Sequence, residues 1–275
     1  MSLIALLLLV ATVTPVPPAT EDPLARIAVI GASASAGWGV VVANDPSVDP
    51  VPIHHTHVDL ADVLPVVLSG ASPVMSRHAD LSFFANPGNV GRVEMDAALA
   101  AEPTLIIAVD FLFWYGYGAR PDSSRMAMLE HGLRELDRAT MPILVGDIPD
   151  VSAAAEAEPI ALISTRQVPT EPTLIALNAR IHEWAAARPR VHVIPLAKLV
   201  SQWQQGTPPD LNGHAWPADC SLVQFDQLHP TAAGLIALTE LVAADIRDHI
   251  TPVTVQADPA VVLATLSANA TSVAP

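Results

Sequence analysis

The chain has 275 residues, of which 13 are Lys or Arg and 28 are Asp or Glu, so its formal net charge at pH 7 is −15. This balance argues against nucleic acid and anionic membrane surfaces as partners, because both are bound through clustered basic side chains. Hydrophobic residues make up 51% of the sequence, which suits a sizeable core and argues against a disordered chain. The only cysteine, Cys220, leaves no intrachain disulfide to form.

Residues 2–11 are an apolar run of signal-peptide length, and a Thr/Pro/Ala stretch at 12–20 follows it. The run is short for a membrane span and lacks the basic residue usual at the start of a signal peptide. We interpret residues 1–20 as the leader of an exported protein, periplasmic or extracellular. An N-terminal helix and an uncleaved anchor are the alternatives, and no membrane-spanning candidate follows the leader.

Beyond the leader, short apolar runs alternate with segments of helical periodicity. The predicted strands are 26–31, 81–85, 104–109, 141–145 and 191–195. The predicted helices are 58–68, 93–101, 122–139, 174–187, 197–205 and 231–249. The segments predicted as loops or turns are 42–56, 86–91, 148–172 and 206–224. Asp122 is a candidate cap of its helix, and residues 251–275 are predicted as a packed appendage or a loose tail.

This alternation predicts one α/β domain over residues 21–250, a three-layer α/β/α sandwich around a mostly parallel five-stranded sheet. Ligands bind such sheets at the carboxyl ends of the strands. The candidate functional residues follow the first three predicted strands in turn: Ser33, then Gly88 and Gly91, then Asp110.

Two segments near the ends of this domain carry the strongest chemical signal. Ser33 lies in a Gly/Ala/Ser turn directly after the first predicted strand, and Asp226-x-x-His229 precedes the last long helix of the domain. A serine hydroxyl becomes a good nucleophile when a base takes its proton, and the base works best when a third group orients it. Each segment alone is more typical of a helix N-terminus, where Ser and Asp cap backbone N–H groups.

Taken together, the segments resemble the SGNH (GDSL-type) hydrolase family, in the family's order and over roughly residues 25–250. The matching blocks are Gly31-Ala32-Ser33, Asn86-x-Gly88-x-x-Gly91, Ala108-Val109-Asp110-Phe111 and Asp226-x-x-His229. The third block departs from the family pattern, Gly-x-Asn-Asp, and places Asp110 where the family has an oxyanion-binding Asn.

The resemblance implies a flavodoxin-like fold and a serine hydrolase that cleaves a carboxylic ester or thioester of a small-molecule substrate without a metal or an organic cofactor. It implies Ser33 as nucleophile, His229 as the base and Asp226 as the group that orients the base. The backbone N–H groups of Ser33 and Gly91, with Gly88 as the alternative to Gly91, would form the oxyanion hole.

Aromatic residues concentrate just after the third predicted strand, and two of them, Trp114 and Tyr115, are candidates for the wall of a substrate pocket. Packing in the core is the alternative interpretation of these side chains.

Asp110 leaves three interpretations open, because an ionised carboxylate cannot donate a hydrogen bond to an oxyanion. Its pKa is raised so that a neutral acid donates, or Trp114 or Tyr115 donates instead, or the oxyanion hole is impaired. The last interpretation leads to the alternative function, a catalytically impaired SGNH-like domain that binds a glycan or a lipid.

Other motifs predict competing functions less well. Gly31, Gly37 and Gly39 do not have the spacing of a dinucleotide-binding fingerprint, and G-x-S-x-G is absent around Ser33. The cluster at 54–57 contains three histidines that would suit a metal-dependent hydrolase. We favour a polar loop there, because no second ligand cluster stands out in the sequence.

Overall fold

The computed structural model describes residues 21–43, 55–159, 161–207, 210–216 and 220–272. The predicted leader and His54 lie outside these residues. Among the helices in the described ranges, none is both long enough and apolar enough to cross a membrane.

A parallel sheet of five short strands forms the centre of the domain. The strands are β1 Arg26–Val29, β2 Val74–Arg77, β3 Leu105–Ala108, β4 Ile143–Gly146 and β5 Val191–Ile194. They lie in the order β2-β1-β3-β4-β5, and each neighbouring pair is parallel. The predicted parallel α/β sheet is therefore confirmed, and β3 and β4 are buried along their whole length, as continuous apolar runs predict.

Helices cover both faces of this sheet. They are α1 Leu60–Val67, α2 Pro87–Ala100, α3 Phe113–Gly116, α4 Asp122–Leu136, α5 Glu171–Ala186, α6 Leu196–Gln204, α7 Ala232–His249 and α8 Pro259–Ser272. One apolar layer joins the sheet to α1, α7 and α8, and the other joins it to α2, α4 and α5. Alternate strand residues serve the two layers, since Leu105 and Ile107 face one layer and Ile106 and Ala108 face the other.

Short elements complete the described chain. Three antiparallel pairs join Val41–Ala43 to His55–His57, Leu68–Ser69 to Thr254–Val255, and Asp210–Leu211 to His214–Ala215. Single 3-10 turns lie at Phe83–Ala85, Ser152–Ala155 and Thr165–Gln167.

The second strand was placed wrongly from the sequence. Residues 81–85 contain a 3-10 turn, whereas β2 lies earlier, at Val74–Arg77. β2 is an edge strand that pairs only with β1, and Val74 is 67% exposed. Because only part of such a strand is buried, its sequence has no continuous apolar run to reveal it.

The predicted turn at 86–91 is also corrected, because α2 already begins at Pro87. Asn86 caps this helix by accepting a hydrogen bond from the Asn89 N–H at 3.3 Å, and proline is favoured at the first helical position. Asp122 does not cap α4 as predicted. Its carboxylate instead accepts hydrogen bonds from Arg125 at 2.8 Å and Thr173 at 2.7 Å.

Of the two interpretations of the C-terminal segment, the structure shows the packed appendage as far as residue 272. Thr254–Val255 pairs with Leu68–Ser69, and α8 then lies against α1 and α7. Val262 and Leu266 of α8 are buried in the same apolar layer as these helices.

Candidate active site

The candidate site lies at the carboxyl ends of β1 and β3, which are neighbours in the sheet although Ile27 of β1 pairs with Leu105 of β3, 78 positions later in the chain. Here the strand order reverses, because the chain first adds β2 on one side of β1 and then crosses over to add β3 on the other side. In open parallel sheets this switch point creates the crevice that binds ligands. Ser33 follows β1 and Asp110 follows β3, so both face this crevice.

A continuous hydrogen-bonded chain joins Ser33, His229 and Asp226. The Ser33 hydroxyl lies 2.9 Å from His229 Nε2, and His229 Nδ1 lies 2.8 Å from Asp226 Oδ2. Because an ionised carboxylate can only accept, Nδ1 carries the ring proton and Nε2 is left to accept from the serine hydroxyl. The arrangement has the geometry of a nucleophile, a base and an orienting group.

Asp226 is held by the backbone as well as by the histidine ring. Its Oδ1 accepts from the N–H groups of Leu228 at 2.9 Å and His229 at 3.0 Å. Burial acts to raise the pKa of Asp226, but the hydrogen bonds from His229 and Leu228 outweigh it and hold that pKa below its usual value. The carboxylate is therefore ionised at neutral pH, as an orienting group must be.

The ring of Trp38 lies beside the histidine. The centroids of the Trp38 and His229 rings are 5.7 Å apart, with the planes tilted by 39°. Gln224 fastens this side of the site, because its side-chain amide donates to the carbonyls of Trp38 at 2.7 Å and Pro230 at 2.8 Å. The His229 ring is thus packed between the Asp226 carboxylate, the Trp38 indole ring and the Ser33 hydroxyl.

Asp110 acts as an acceptor for the serine loop, residues 32–37, and does not point a donor at Ser33 Oγ. Its Oδ1 accepts from the Ala32 N–H at 2.9 Å and the Ser35 hydroxyl at 2.6 Å. Its Oδ2 accepts from the N–H groups of Ala34 at 2.8 Å and Ser35 at 3.2 Å. Since both oxygens already face donors, the interpretation of Asp110 as a neutral acid in the oxyanion hole is corrected.

Gly91 and Gly88 are placed away from the serine. Gly91 is the fifth residue of α2, where a backbone N–H bonds the carbonyl one turn earlier. A side chain there would collide with the Tyr115 hydroxyl, so close packing explains this glycine. Gly88 lies in the first turn of the same helix, beside His131. Neither glycine borders a cavity next to Ser33, so the expectation that Gly91 or Gly88 forms the oxyanion hole is corrected.

The two aromatic candidates separate. Trp114 lines the cleft that contains Ser33 and His229, and its ring centroid is 5.8 Å from that of Phe84. Tyr115 is fully buried between α2 and α4 and packs edge-on against Phe83, at 5.8 Å between centroids. Tyr115 therefore belongs to the core, and the prediction that it lines the substrate pocket is wrong.

Glu94, a buried residue of α2 that was not predicted from the sequence, supports the site. Its Oε2 accepts from the Gly31 N–H at 2.9 Å, directly before the serine loop. Burial raises the pKa of Glu94 to about 9, so this carboxyl is protonated at neutral pH. The available signal was its position, because Glu94 falls on the buried face of α2 with Gly91, Met95 and Ala98.

The histidine cluster does not form a metal centre within the described residues, where no group of three His, Cys, Asp or Glu side chains is placed to hold an ion. His57 Nε2 instead lies 3.0 Å from the Gly37 carbonyl, at the end of the serine loop.

Among solved structures, the chain is similar to the lipase/acylhydrolase from Enterococcus faecalis. The TM-score is 0.52 and the identity 17%, and the match covers 82% of this chain and 98% of that one. It is also similar to a gut microbial diltiazem-metabolizing enzyme, with a TM-score of 0.52 and 10% identity over 80% of this chain. This second match spans 46% of the longer enzyme.

No protein-family model and no curated protein matches the sequence. At these identities the structural likeness concerns the fold. The chain has the α/β fold of the Enterococcus faecalis acylhydrolase, which is the fold that the SGNH (GDSL-type) resemblance implied.

Proposed function

We propose that this protein is a serine hydrolase that cleaves carboxylic esters or thioesters of small-molecule substrates. The observation that carries the proposal is the hydrogen-bonded chain from Ser33 through His229 to Asp226, with distances of 2.9 Å and 2.8 Å. Ser33 and His229 are 196 residues apart in sequence. The acylhydrolase activity named for the structural neighbour from Enterococcus faecalis supports the same class of reaction.

In the proposed reaction, Ser33 Oγ attacks the acyl carbonyl carbon while His229 Nε2 takes the hydroxyl proton. His229 then gives this proton to the leaving alcohol or thiol, and an acyl-enzyme remains on Ser33. A water molecule that His229 deprotonates attacks the acyl-enzyme, the bond from the acyl carbon to Ser33 Oγ breaks, and His229 returns the proton to Oγ as the acid leaves. Asp226 stays ionised throughout, keeps the proton on Nδ1 and stabilises the imidazolium.

The backbone N–H of Ser33 is the proposed donor to the oxyanion. It has no acceptor among the described residues, whereas the N–H groups of Ala32, Ala34 and Ser35 all donate to Asp110. In this proposal Asp110 contributes rigidity, because its carboxylate holds the loop on both sides of the nucleophile. A donor fixed in place before the reaction stabilises the developing charge without a reorganisation cost.

Labelling with a fluorophosphonate probe tests the proposal, because the probe reacts with activated serines. We expect one adduct on Ser33 by intact mass and peptide mapping. Ser33→Ala should abolish the adduct and lower hydrolysis of p-nitrophenyl acetate by at least about 10³-fold. Ser72→Ala is the matched control, because Ser72 lies exposed in a loop away from the site and should label and hydrolyse like the natural chain.

Two outcomes would contradict the proposal. Undiminished hydrolysis by Ser33→Ala would place the chemistry elsewhere. A folded protein that is neither labelled nor hydrolytic would favour the alternative, an SGNH-like domain that binds a glycan or a lipid in the same cleft.

A further inference from the structure

The Ser33–His229 pair lies at the junction of two cavities of very different size. The wide cavity has a volume of about 420 Å³ and the narrow one about 60 Å³. Ser33, Leu228 and His229 border both cavities. An ester bound with its carbonyl carbon at Ser33 Oγ would therefore extend into one cavity on each side of the scissile bond.

The wide cavity is an open, apolar cleft. Its wall is built mainly from large hydrophobic side chains: Trp38, Leu81, Phe84, Trp114, Leu162 and Ile163. Trp38, Leu81, Phe84 and Leu162 are between 42% and 55% exposed. Apolar side chains clustered in the open around a cleft are typical of a binding site, and the volume suits a ligand with one or more rings.

Charge supports the same conclusion for the wide cavity. Among the described residues that line it, only His229 can carry a charge, and it does so only when it is protonated. Gln167 contributes an uncharged amide. A charged substituent would lie against apolar walls there without gaining a partner of opposite charge. The group that fits this cleft is therefore bulky, apolar and uncharged.

Buried side chains restrict the size of the narrow cavity on part of its wall, whereas Gln204 and Gln227, which also line it, are exposed. Phe113, Val151, Leu196 and Leu238 line it and are all buried. Phe113 is stacked on Tyr117, with ring centroids 4.3 Å apart and planes within 15°. A volume of about 60 Å³ leaves room for a small group only. Larger groups would have to displace packed side chains, which is costly.

The difference in volume also distinguishes the two products. The leaving alcohol must escape while the acyl group stays bound to Ser33, and the wide cleft gives a bulky alcohol the room to leave. A short acyl group fits the narrow side until water releases it. The alcohol is then the bulky component.

The geometry points to a substrate class: uncharged esters of a short acyl group, up to about four carbons, with a bulky apolar alcohol. This inference rests on the proposed serine hydrolase function and specifies which esters the same site accepts. Val200 on the narrow side and Leu162 on the wide side are the proposed specificity-determining residues.

Esters of simple primary alcohols, whose leaving groups have similar pKa values, test the inference on the unmodified protein. We expect kcat/KM for 2-naphthylmethyl acetate to be about 100-fold higher than kcat/KM for ethyl acetate. It should also be at least tenfold higher than kcat/KM for the isomer methyl 2-naphthylacetate, in which the naphthyl group lies on the acyl side of the ester. Lengthening the acyl group from butanoate to octanoate should lower kcat/KM by at least about 30-fold. Equal rates for the two isomers, or an octanoate as good as the acetate, would overturn the inference.

Two variants assign the effects to the two cavities. Val200→Ala should raise the octanoate-to-acetate ratio of kcat/KM about tenfold, because it widens the narrow side. Leu162→Ala should lower the naphthylmethyl-to-ethyl ratio about threefold or more and leave the acyl-length dependence unchanged. Ile175→Ala is the control, since Ile175 is exposed on α5 and borders neither cavity.

The outcomes separate this inference from the proposed function. If the probe still labels Ser33 while all the ester ratios are flat, the substrate class is wrong and the hydrolase stands. If Ser33→Ala keeps the natural activity, the hydrolase proposal itself fails, and the substrate class fails with it.

Discussion

Asp110 and Gly31 depend on each other at the centre of the site. Gly31 has φ +141°, a backbone conformation that residues other than glycine rarely adopt. A Cβ at Gly31 would also collide with Asp110 Oδ1. The close approach lets one carboxylate accept from Ala32, Ala34 and Ser35 together. Asp110, which differs from the Asn of the SGNH pattern, therefore holds the serine loop in place through these hydrogen bonds.

Asp110→Asn tests this anchor. Asparagine has one oxygen and one NH₂ group where Asp110 has two oxygens. In either orientation of the side chain, the NH₂ group faces at least one backbone N–H, either that of Ala32 or those of Ala34 and Ser35, which then lacks an acceptor. Each buried donor left unpaired costs about 1–3 kcal/mol. We expect the free energy of unfolding to fall by about 2–3 kcal/mol in urea denaturation, and kcat/KM to fall at least tenfold.

Ser35→Ala is the graded control for this prediction, because it removes the 2.6 Å hydroxyl bond and keeps the three backbone donors of Asp110 paired. Its losses should be clearly smaller. Full activity in Asp110→Asn, or higher activity at alkaline pH, would instead support the neutral-donor interpretation that the geometry argues against.

At the scale of elements, the C-terminal helix α8 extends the core beyond the α/β/α layers. Val262 and Leu266 insert into the layer formed by α1 and α7, while Val261 of the same helix is exposed. The pairing of Thr254–Val255 with Leu68–Ser69 holds the start of this segment against the end of α1. We therefore regard α8 as a structural part of the domain that lies apart from Ser33, His229 and Asp226.

Leu266→Ala measures what α8 contributes. Removal of a buried leucine side chain typically costs about 2–5 kcal/mol, so we expect a loss of about 2–4 kcal/mol in the free energy of unfolding and unchanged kcat per folded molecule. Val261→Ala should change stability by less than about 0.5 kcal/mol, because its side chain is exposed. Equal effects of the two substitutions would show that α8 does not pack as described.

At the scale of the whole molecule, buried acids give the protein an unusual dependence on pH. Burial raises the pKa of Glu94 to about 9, of Glu240 to about 8 and of Asp245 to about 6. Between the unfolded and folded pKa of such a group, the folded state holds a proton that the unfolded state has released. Stability is therefore full below the unfolded pKa and is lost as pH rises through this window.

We expect the free energy of unfolding to fall between pH 5 and pH 9, by up to about 1.4 kcal/mol per pH unit for each of these acids within its own window. Glu94→Gln should flatten the slope between pH 5 and pH 9, because glutamine does not titrate and still offers an acceptor to the Gly31 N–H. The measurement is urea denaturation at several pH values. The exposed Glu156→Gln should keep the natural slope, and a slope unchanged by Glu94→Gln would contradict the assignment.

The sequence by itself determined the features that depend on residues close together in the chain: buried strands, long helices and short motifs. β3 and β4 were predictable because both faces are buried and their residues form continuous apolar runs. The long helices α4, α5 and α7 were predictable from their periodicity. Ser33 and the Asp226–His229 pair were predictable as candidates, because each lies in a short segment that can be recognised from residue type and spacing alone.

Only the tertiary structure decided the rest. The edge strand β2 has no apolar run, so its place follows from pairing with β1. The roles of Asp110, Gly91 and Tyr115 depend on which side chain of one strand or helix meets the backbone of another. The two unequal cavities arise where the ends of several elements meet around Ser33. Hydrophobic periodicity reports the surroundings of a single element, whereas these features exist only between elements that lie far apart in the chain.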